Sequence, residues 1–340
     1  MIFKIADKIN AGSVSQYCID NETGKALISD DTQMTLFTAN GILFGTTRLA
    51  LRGIAASVEN YVHLAYLDWL STQTEKTARR NISWLADIKE LRARRAPGTT
   101  CLSALKSGTM GTIDNPINNS KGCGGVMRVA PVALYFRWNH KGLPLDGAKV
   151  AALTHGHPLG YMPAAALTYI INRIVYCDHD STYTLYNILD ECFEILKELF
   201  AGQEYLSKLL DIIALAVSLS ENNAPDAHNI AQIGQGWVAE EALAIALYCS
   251  LKYYDDFSKA IIAAVNHDGD SDSTGAITGN IVGAYIGYEK ISLKWRNDLQ
   301  LHDTIIEIAD DLCHDCQMDG YTSYTDEDWV RKYIDSAYYS

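Results

Sequence analysis

Apolar residues recur along most of this chain at three- and four-residue intervals, and the period-two alternation of half-buried strands is nearly absent. Met34, Leu36, Phe37 and Leu43 predict a buried helix over Thr32 to Phe44. Tyr61 to Leu70 and Ile82 to Arg94 repeat the spacing, and two amphipathic helices are expected within residues 185–220. Gly234-Gln235-Gly236 opens a helix running to about Lys252, and Ile305 to Cys316 is the last clear helix, before a Tyr-rich tail from Tyr321 that packs or frays. The expected fold is all-α, a compact single-domain multi-helix orthogonal bundle over residues 1–340. Within it, 1–28 is an atypical N-terminus and 318–340 a tail, and the loops gather at one end.

The polar breaks between these helices carry the chemistry. In His267-Asp268-Gly269-Asp270-Ser271-Asp272-Ser273, aspartates alternate with small residues before a helix. Such oxygens suit Mg²⁺, Mn²⁺ or Ca²⁺ rather than zinc. An EF-hand loop is excluded: with Asp268 as first ligand, its turn glycine falls on Ser273 and its bidentate glutamate on Gly279. Further ligands must come from elsewhere, and Ser29-Asp30-Asp31-Thr32-Gln33 offers acids beside hydroxyls at another helix start. Taken alone, that stretch reads as an N-cap with acids placed favourably for the helix dipole. Two adjacent acids are costly without a cation between them, and the second acidic loop turns the reading toward metal.

Gly275, Gly279, Gly283 and Gly287 share one helical face. Each costs a helix interior about 1 kcal/mol relative to alanine, so another helix or a ligand is expected close against that face.

Composition narrows the function. The 340 residues are 48% hydrophobic and 20% charged, with a formal net charge of −13. That profile is soluble and globular, and it argues against nucleic acid or an anionic membrane as partner. No apolar h-region opens the chain and no apolar stretch is long enough to span a bilayer, so a cytoplasmic protein is expected. The eight cysteines read as reduced, mostly buried thiols. Cys313-His314-Asp315-Cys316 has metal-like spacing but lacks a second ligand pair, so two surface cysteines on a helix are expected there.

Residues 106–121 form the longest irregular stretch and lead into Gly122-Cys123-Gly124-Gly125-Val126-Met127-Arg128. Glycines before a helix let backbone N–H groups converge on an anion, to which Arg128 adds charge. The run lacks the ending of a Walker loop, and by itself reads equally as a tight turn. No base is identifiable for Cys123 as a nucleophile, so it reads as a small loop residue. Ala151-Ala152-Leu153-Thr154-His155 is echoed by Ala263-Ala264-Val265-Asn266-His267, which suggests two related helix–loop–helix units. His155 reads either as a pocket residue or as a helix C-terminal cap. Glu240 and Glu241 suit a first turn, and Arg92, Arg94 and Arg95 a solvated helix end.

Five stretches together resemble the ADP-ribosylglycohydrolase family, and in the family's order: Ser29 to Met34, Gly122 to Pro131, Thr154 to Pro158, Gly236 to Leu243, and Gly269 to Ser273. The resemblance implies a compact all-α fold of that type with two divalent cations, Mg²⁺ or Mn²⁺. It implies Ser29, Asp30, Asp31, Asp270, Asp272 and Ser273 as metal ligands, with Asp30, Asp31 and Asp272 as the catalytic acids. It also places Gly122, Cys123, Gly124, Gly125, Met127 and Arg128 around the diphosphate of ADP-ribose, with His155 beside them. The resemblance departs at the N-terminus, where nothing in residues 1–28 matches the family's Gly-Asp-x-x-Gly stretch and its nearby Glu.

The implied activity is metal-dependent hydrolysis of the glycosidic bond between ADP-ribose and a protein side chain, arginine favoured. The implied partner is ADP-ribose or an ADP-ribosylated protein. The other reading is an inactive ADP-ribose-binding or structural protein on the same scaffold. Oligomeric state is not legible.

Overall fold

The helix expected from Met34, Leu36, Phe37 and Leu43 runs from Asp30 to Arg52 (α1), with all four side chains buried. Each large apolar side chain so buried contributes roughly 1.5–3 kcal/mol. The computed structural model describes residues 13–75, 81–137, 142–177, 183–321 and 324–334. Residues 1–12 of the atypical N-terminus, and 322–323 and 335–340 of the tail, lie outside the described residues. Val58–Thr74 (α2) packs along α1. Buried polar pairs fix their register: Thr38 Oγ1 lies 2.6 Å from the Tyr66 hydroxyl, and Trp69 Nε1 donates to Gln33 Oε1 at 3.2 Å.

The helix expected over Ile82 to Arg94 does not form. Two short 3₁₀ turns, Trp84–Asp87 and Lys89–Arg92, replace it. The reason lies in α2. The buried carboxylate of Asp68 accepts from the backbone N–H groups of Asn81, Ile82 and Ser83 at 2.8–2.9 Å, and from Asn81 Nδ2 at 2.6 Å. Charge-assisted bonds of this kind hold the backbone in a non-helical path. Arg92 therefore caps no α-helix; its guanidinium donates to Ala86 O.

Thr99–Lys106 (α3) and Ala130–Tyr135 (α4) flank the irregular stretch. Leu143–Ala152 (α5) turns back into Pro158–Tyr176 (α6), which is buried on nearly every face. Leu185–Leu199 (α7) and Leu206–Ser220 (α8) are the expected amphipathic pair. Asp226–Ile233 (α9) leads to Ala239–Lys252 (α10), a second almost wholly buried helix. Helices apolar all round belong inside a core, and α6 and α10 pack together there. Among the described residues there is no β-strand, only isolated bridges, one of which joins Gly122 to Val238.

Phe257–Val265 (α11) packs against Ser271–Ile286 (α12), as the glycine face requires. The close approach is local: a Cβ on Gly275 would meet Val265 Cγ1 at 2.8 Å, whereas Gly279 and Gly283 have ordinary room. Gly287 is the C-cap, outside the helix. The last expected helix spans His302–His314 (α13), so Cys316 lies beyond it. The tail packs through Glu327–Tyr333 (α14): Trp329 Nε1 donates to Thr47 Oγ1 at 2.9 Å and the Tyr333 hydroxyl to Asp311 Oδ2 at 2.6 Å.

Candidate metal centre and substrate cavity

The N-termini of α1 and α12 bring both acidic stretches to one cavity of about 610 Å³. Asp30, Asp31, Asp270, Asp272 and Ser273 line it. Ligand oxygens of Asp30, Asp31 and Asp272 lie within 4.8 Å of one another, and among the described residues they form the only such cluster of three. Their neighbours hold them firmly. Asp30 Oδ2 accepts from Gly98 N at 3.1 Å, and Asp31 Oδ2 from Ser29 Oγ at 2.9 Å. Ser29 thus serves the carboxylate rather than capping α1 with its side chain.

Asp270 is placed by its preceding glycine. Gly269 has φ +158°, and a Cβ there would meet Gln235 O at 2.0 Å, so only glycine allows this approach. The Asp270 N–H then donates to Gln235 O at 2.8 Å, and Cys123 Sγ donates to Asp270 Oδ2 at 2.6 Å.

The electrostatics of the cluster suit a cation. Burial, then Asp31, pushes the Asp30 carboxyl up to about 8. Burial, then Asp272, pushes Asp31 and Asp270 up to about 7. Like charges gathered out of water are costly, and a divalent ion among them removes the cost. One atom points the same way: Asp31 Oδ1 is buried with no hydrogen-bond donor on it. Crowded hard oxygens with one unsatisfied acceptor fit Mg²⁺ or Mn²⁺.

The adjoining wall is the glycine run, a 3₁₀ turn over Cys123–Arg128. It is tied to the loop before α10, since Cys123 N donates to Trp237 O at 3.2 Å and Ala239 N to Lys121 O at 2.9 Å. That spends one N–H of the expected anion nest. Gly122, Cys123, Gly124 and Met127 line the cavity. A Cβ on Gly124 would press on Cys101 Sγ and His155 Cε1 at 3.0 Å, so glycine lets the wall close over the imidazole. Gly125 lies one layer back, against α5 and α6.

Arg128 does not reach the cavity. It is fully buried beneath it, stacked 4.4 Å from the Tyr66 ring centroid, and its NH2 donates to Thr154 Oγ1 at 2.6 Å. Thr154 Oγ1 lies 2.8 Å from His155 Nδ1. A hydroxyl that accepts from a guanidinium keeps its own proton to give, which favours the tautomer with Nδ1 as acceptor and the proton on Nε2. Burial, aided by Arg128, drives His155 down to about 3, so the ring is neutral. It lines the cavity as a donor rather than capping a helix. The echoed His267 instead lines a smaller neighbouring cavity and contacts Thr274 Oγ1 at 3.0 Å.

The sequence reading gives Trp237 no site role, and Glu240 and Glu241 only that of first-turn acids. Trp237 stands at the cavity, 57% exposed. Glu240 is buried and holds Lys121 at 2.6 Å and Lys208 at 3.4 Å. Glu241 Oε2 accepts from Gln235 N and Gly236 N, fixing the loop that carries Trp237. Both glutamates do more than complement a helix dipole. Cys313 is exposed and Cys316 half-buried, away from the acidic cluster.

The family model described as ADP-ribosylglycohydrolase matches residues 3–322. The ADP-ribosylhydrolase ARH3 of Bos taurus is 24% identical over 213 residues, 57% of each chain. The chain thus spans little more than half the length of that curated relative. An uncharacterized protein of Archaeoglobus fulgidus is 26% identical over 256 residues, 74% of each chain. A solved structure titled ADP-ribosylglycohydrolase-related protein complex shares the fold with a TM-score of 0.57 at 22% identity, covering 84% of this chain and 81% of that one.

Proposed function

This chain belongs to the ADP-ribosylglycohydrolase family, and on that premise we propose that its acidic cavity hydrolyses the glycosidic bond between ADP-ribose and a modified protein side chain, with divalent metal. The observation that carries the reading is the cluster of Asp30, Asp31 and Asp272 lining one cavity with a neutral His155. The relatives named ADP-ribosylhydrolase support it.

Asp30, Asp31 and Asp272 would hold the ions, with Ser29, Asp270 and Ser273 completing the set. The chemistry supplied by such ions, when bound, is charge neutralisation at the ribose oxygens and activation of a water. The remaining steps belong to the side chains. Asp31 is the acid assigned to accept the water's proton. The glycine wall and His155 Nε2–H bind the diphosphate without bringing in a full positive charge. Trp237 offers a flat face to the adenine. Arginine is the favoured linkage on the family resemblance alone.

Incubation with arginine- and serine-linked mono-ADP-ribosylated peptides in Mg²⁺, followed by mass spectrometry, tests the proposal. Release of ADP-ribose from the arginine peptide supports it. Release from serine alone corrects the linkage, and binding without release from either peptide selects the inactive ADP-ribose binder.

A further inference from the structure

The strap of residues 234–238 between α9 and α10 holds two walls of the cavity at once. On one side, Gln235 O accepts from the Asp270 N–H at 2.8 Å. On the other, Trp237 O accepts from Cys123 N at 3.2 Å, and an antiparallel bridge pairs Val238 with Gly122. The strap is itself held from outside the cavity lining, by Glu241 in the first turn of α10. Glu241 Oε2 accepts from Gln235 N at 3.0 Å and from Gly236 N at 3.2 Å. The backbone is shaped around that carboxylate. Gly234 has φ +151°, and a Cβ there would collide with the Glu241 carboxyl group.

One peptide unit carries the connection. The group between Gln235 and Gly236 gives its N–H to Glu241 and its C=O to the Asp270 N–H. A hydrogen bond to a charged oxygen at one end of a peptide fixes the plane and strengthens the bond at the other end. We propose that Glu241 is a positioning residue for the metal centre: as an acceptor of two strap N–H groups, it aims the Gln235 carbonyl that seats Asp270, and through the same strap it keeps the glycine wall in register. The inference rests on the metal-site reading above and deepens it.

The test is calorimetric titration of the full chain with Mn²⁺, for the wild type, Glu241→Ala, Glu241→Gln and Glu241→Asp. Trp329→Phe serves as a control, since it loses a buried hydrogen bond between α14 and α1. Mn²⁺ affinity should fall about tenfold or more in Glu241→Ala, the scale seen when a group that orients a metal ligand is lost. Glu241→Gln keeps an acceptor oxygen at the same reach and should stay close to the wild type, as should Trp329→Phe. Glu241→Asp keeps the charge but falls one methylene short, and its affinity should lie below that of Glu241→Gln. ADP-ribose affinity at saturating Mn²⁺ should follow the same order. Unchanged Mn²⁺ affinity in Glu241→Ala overturns the positioning role while the carboxylate centre stands. A larger loss in Glu241→Gln than in Glu241→Asp assigns the effect to charge alone, and an equal loss in Trp329→Phe assigns it to general destabilisation; either overturns the proposal. A wild type that binds no Mn²⁺ removes the centre itself, and the role of Glu241 with it.

Discussion

Thr154 Oγ1 lies 2.8 Å from His155 Nδ1 and also accepts from the buried guanidinium of Arg128. One hydroxyl thereby joins a buried cation to the ring of a cavity histidine. Thr154→Val keeps the shape and removes both bonds. Folding stability should fall by about 1–3 kcal/mol, the cost of a buried donor left without its acceptor, as read by urea unfolding. ADP-ribose affinity should fall as well, and Thr154→Ser should restore both.

Trp237 is the exposed aromatic at the cavity. Trp237→Ala should weaken ADP-ribose binding by about tenfold, the scale of one base–aromatic stack, while leaving the bound-state cleavage rate much less affected. Quenching of intrinsic fluorescence by ADP-ribose should lose its largest component. Unchanged affinity would place the adenine elsewhere.

Gly269 sets the position of Asp270. Gly269→Ala puts a Cβ into Gln235 O and demands a backbone conformation that L residues rarely adopt. Stability should fall by about 2 kcal/mol or more, and metal affinity should fall with it because Asp270 moves. Calorimetric titration with Mn²⁺ reads the second effect separately from the first.

The metal-free protein should lose stability as pH rises. Asp30, Asp31 and Asp270 have raised folded-state values, up to about 7 to 8. Between the ordinary carboxyl range and those values, the native state binds more protons than the unfolded state. The stability so conferred is present at low pH and lost as pH climbs through the raised values. His155, with its value lowered, acts oppositely, but only below the ordinary histidine value of about 6.5. His63, His157 and His267 are lowered by burial in the same way, and the opposing effect of all four fades above that value, so that between about pH 7 and 8 the aspartate trend dominates. Melting temperature in EDTA should fall across that window, and millimolar Mg²⁺ should remove the slope. Parallel slopes with and without Mg²⁺ would contradict a cation among these groups.

The four aspartates and the glycine run were legible because small-residue loops before helices are local patterns. The convergence of Ser29–Asp31 with Asp270–Ser273 needed only one helix start beside another. What was not legible depended on distant partners. Ile82 to Arg94 has helical spacing, yet Asp68 on α2 holds its start outside helical geometry. Glu240 looked like a first-turn acid until packing placed it between Lys121 and Lys208. Arg128 looked like an anion ligand, but the aromatic face of Tyr66 and the acceptor on Thr154 draw it under the cavity floor. Trp237 carried a signal in its position within a glycine-flanked turn, where a large aromatic has little core to enter.

The most direct measurement is single-turnover release of ADP-ribose from an arginine-linked peptide, in Mg²⁺, after EDTA treatment, and after Mg²⁺ is restored, for the wild type and Asp272→Asn. Release should be abolished by EDTA and recovered with Mg²⁺. Asp272→Asn should be slower by at least about a hundredfold, as expected when a metal-positioning group is lost. Equal release in EDTA, or near-normal turnover by Asp272→Asn, would contradict the assignment of this cavity as a metal-dependent catalytic centre.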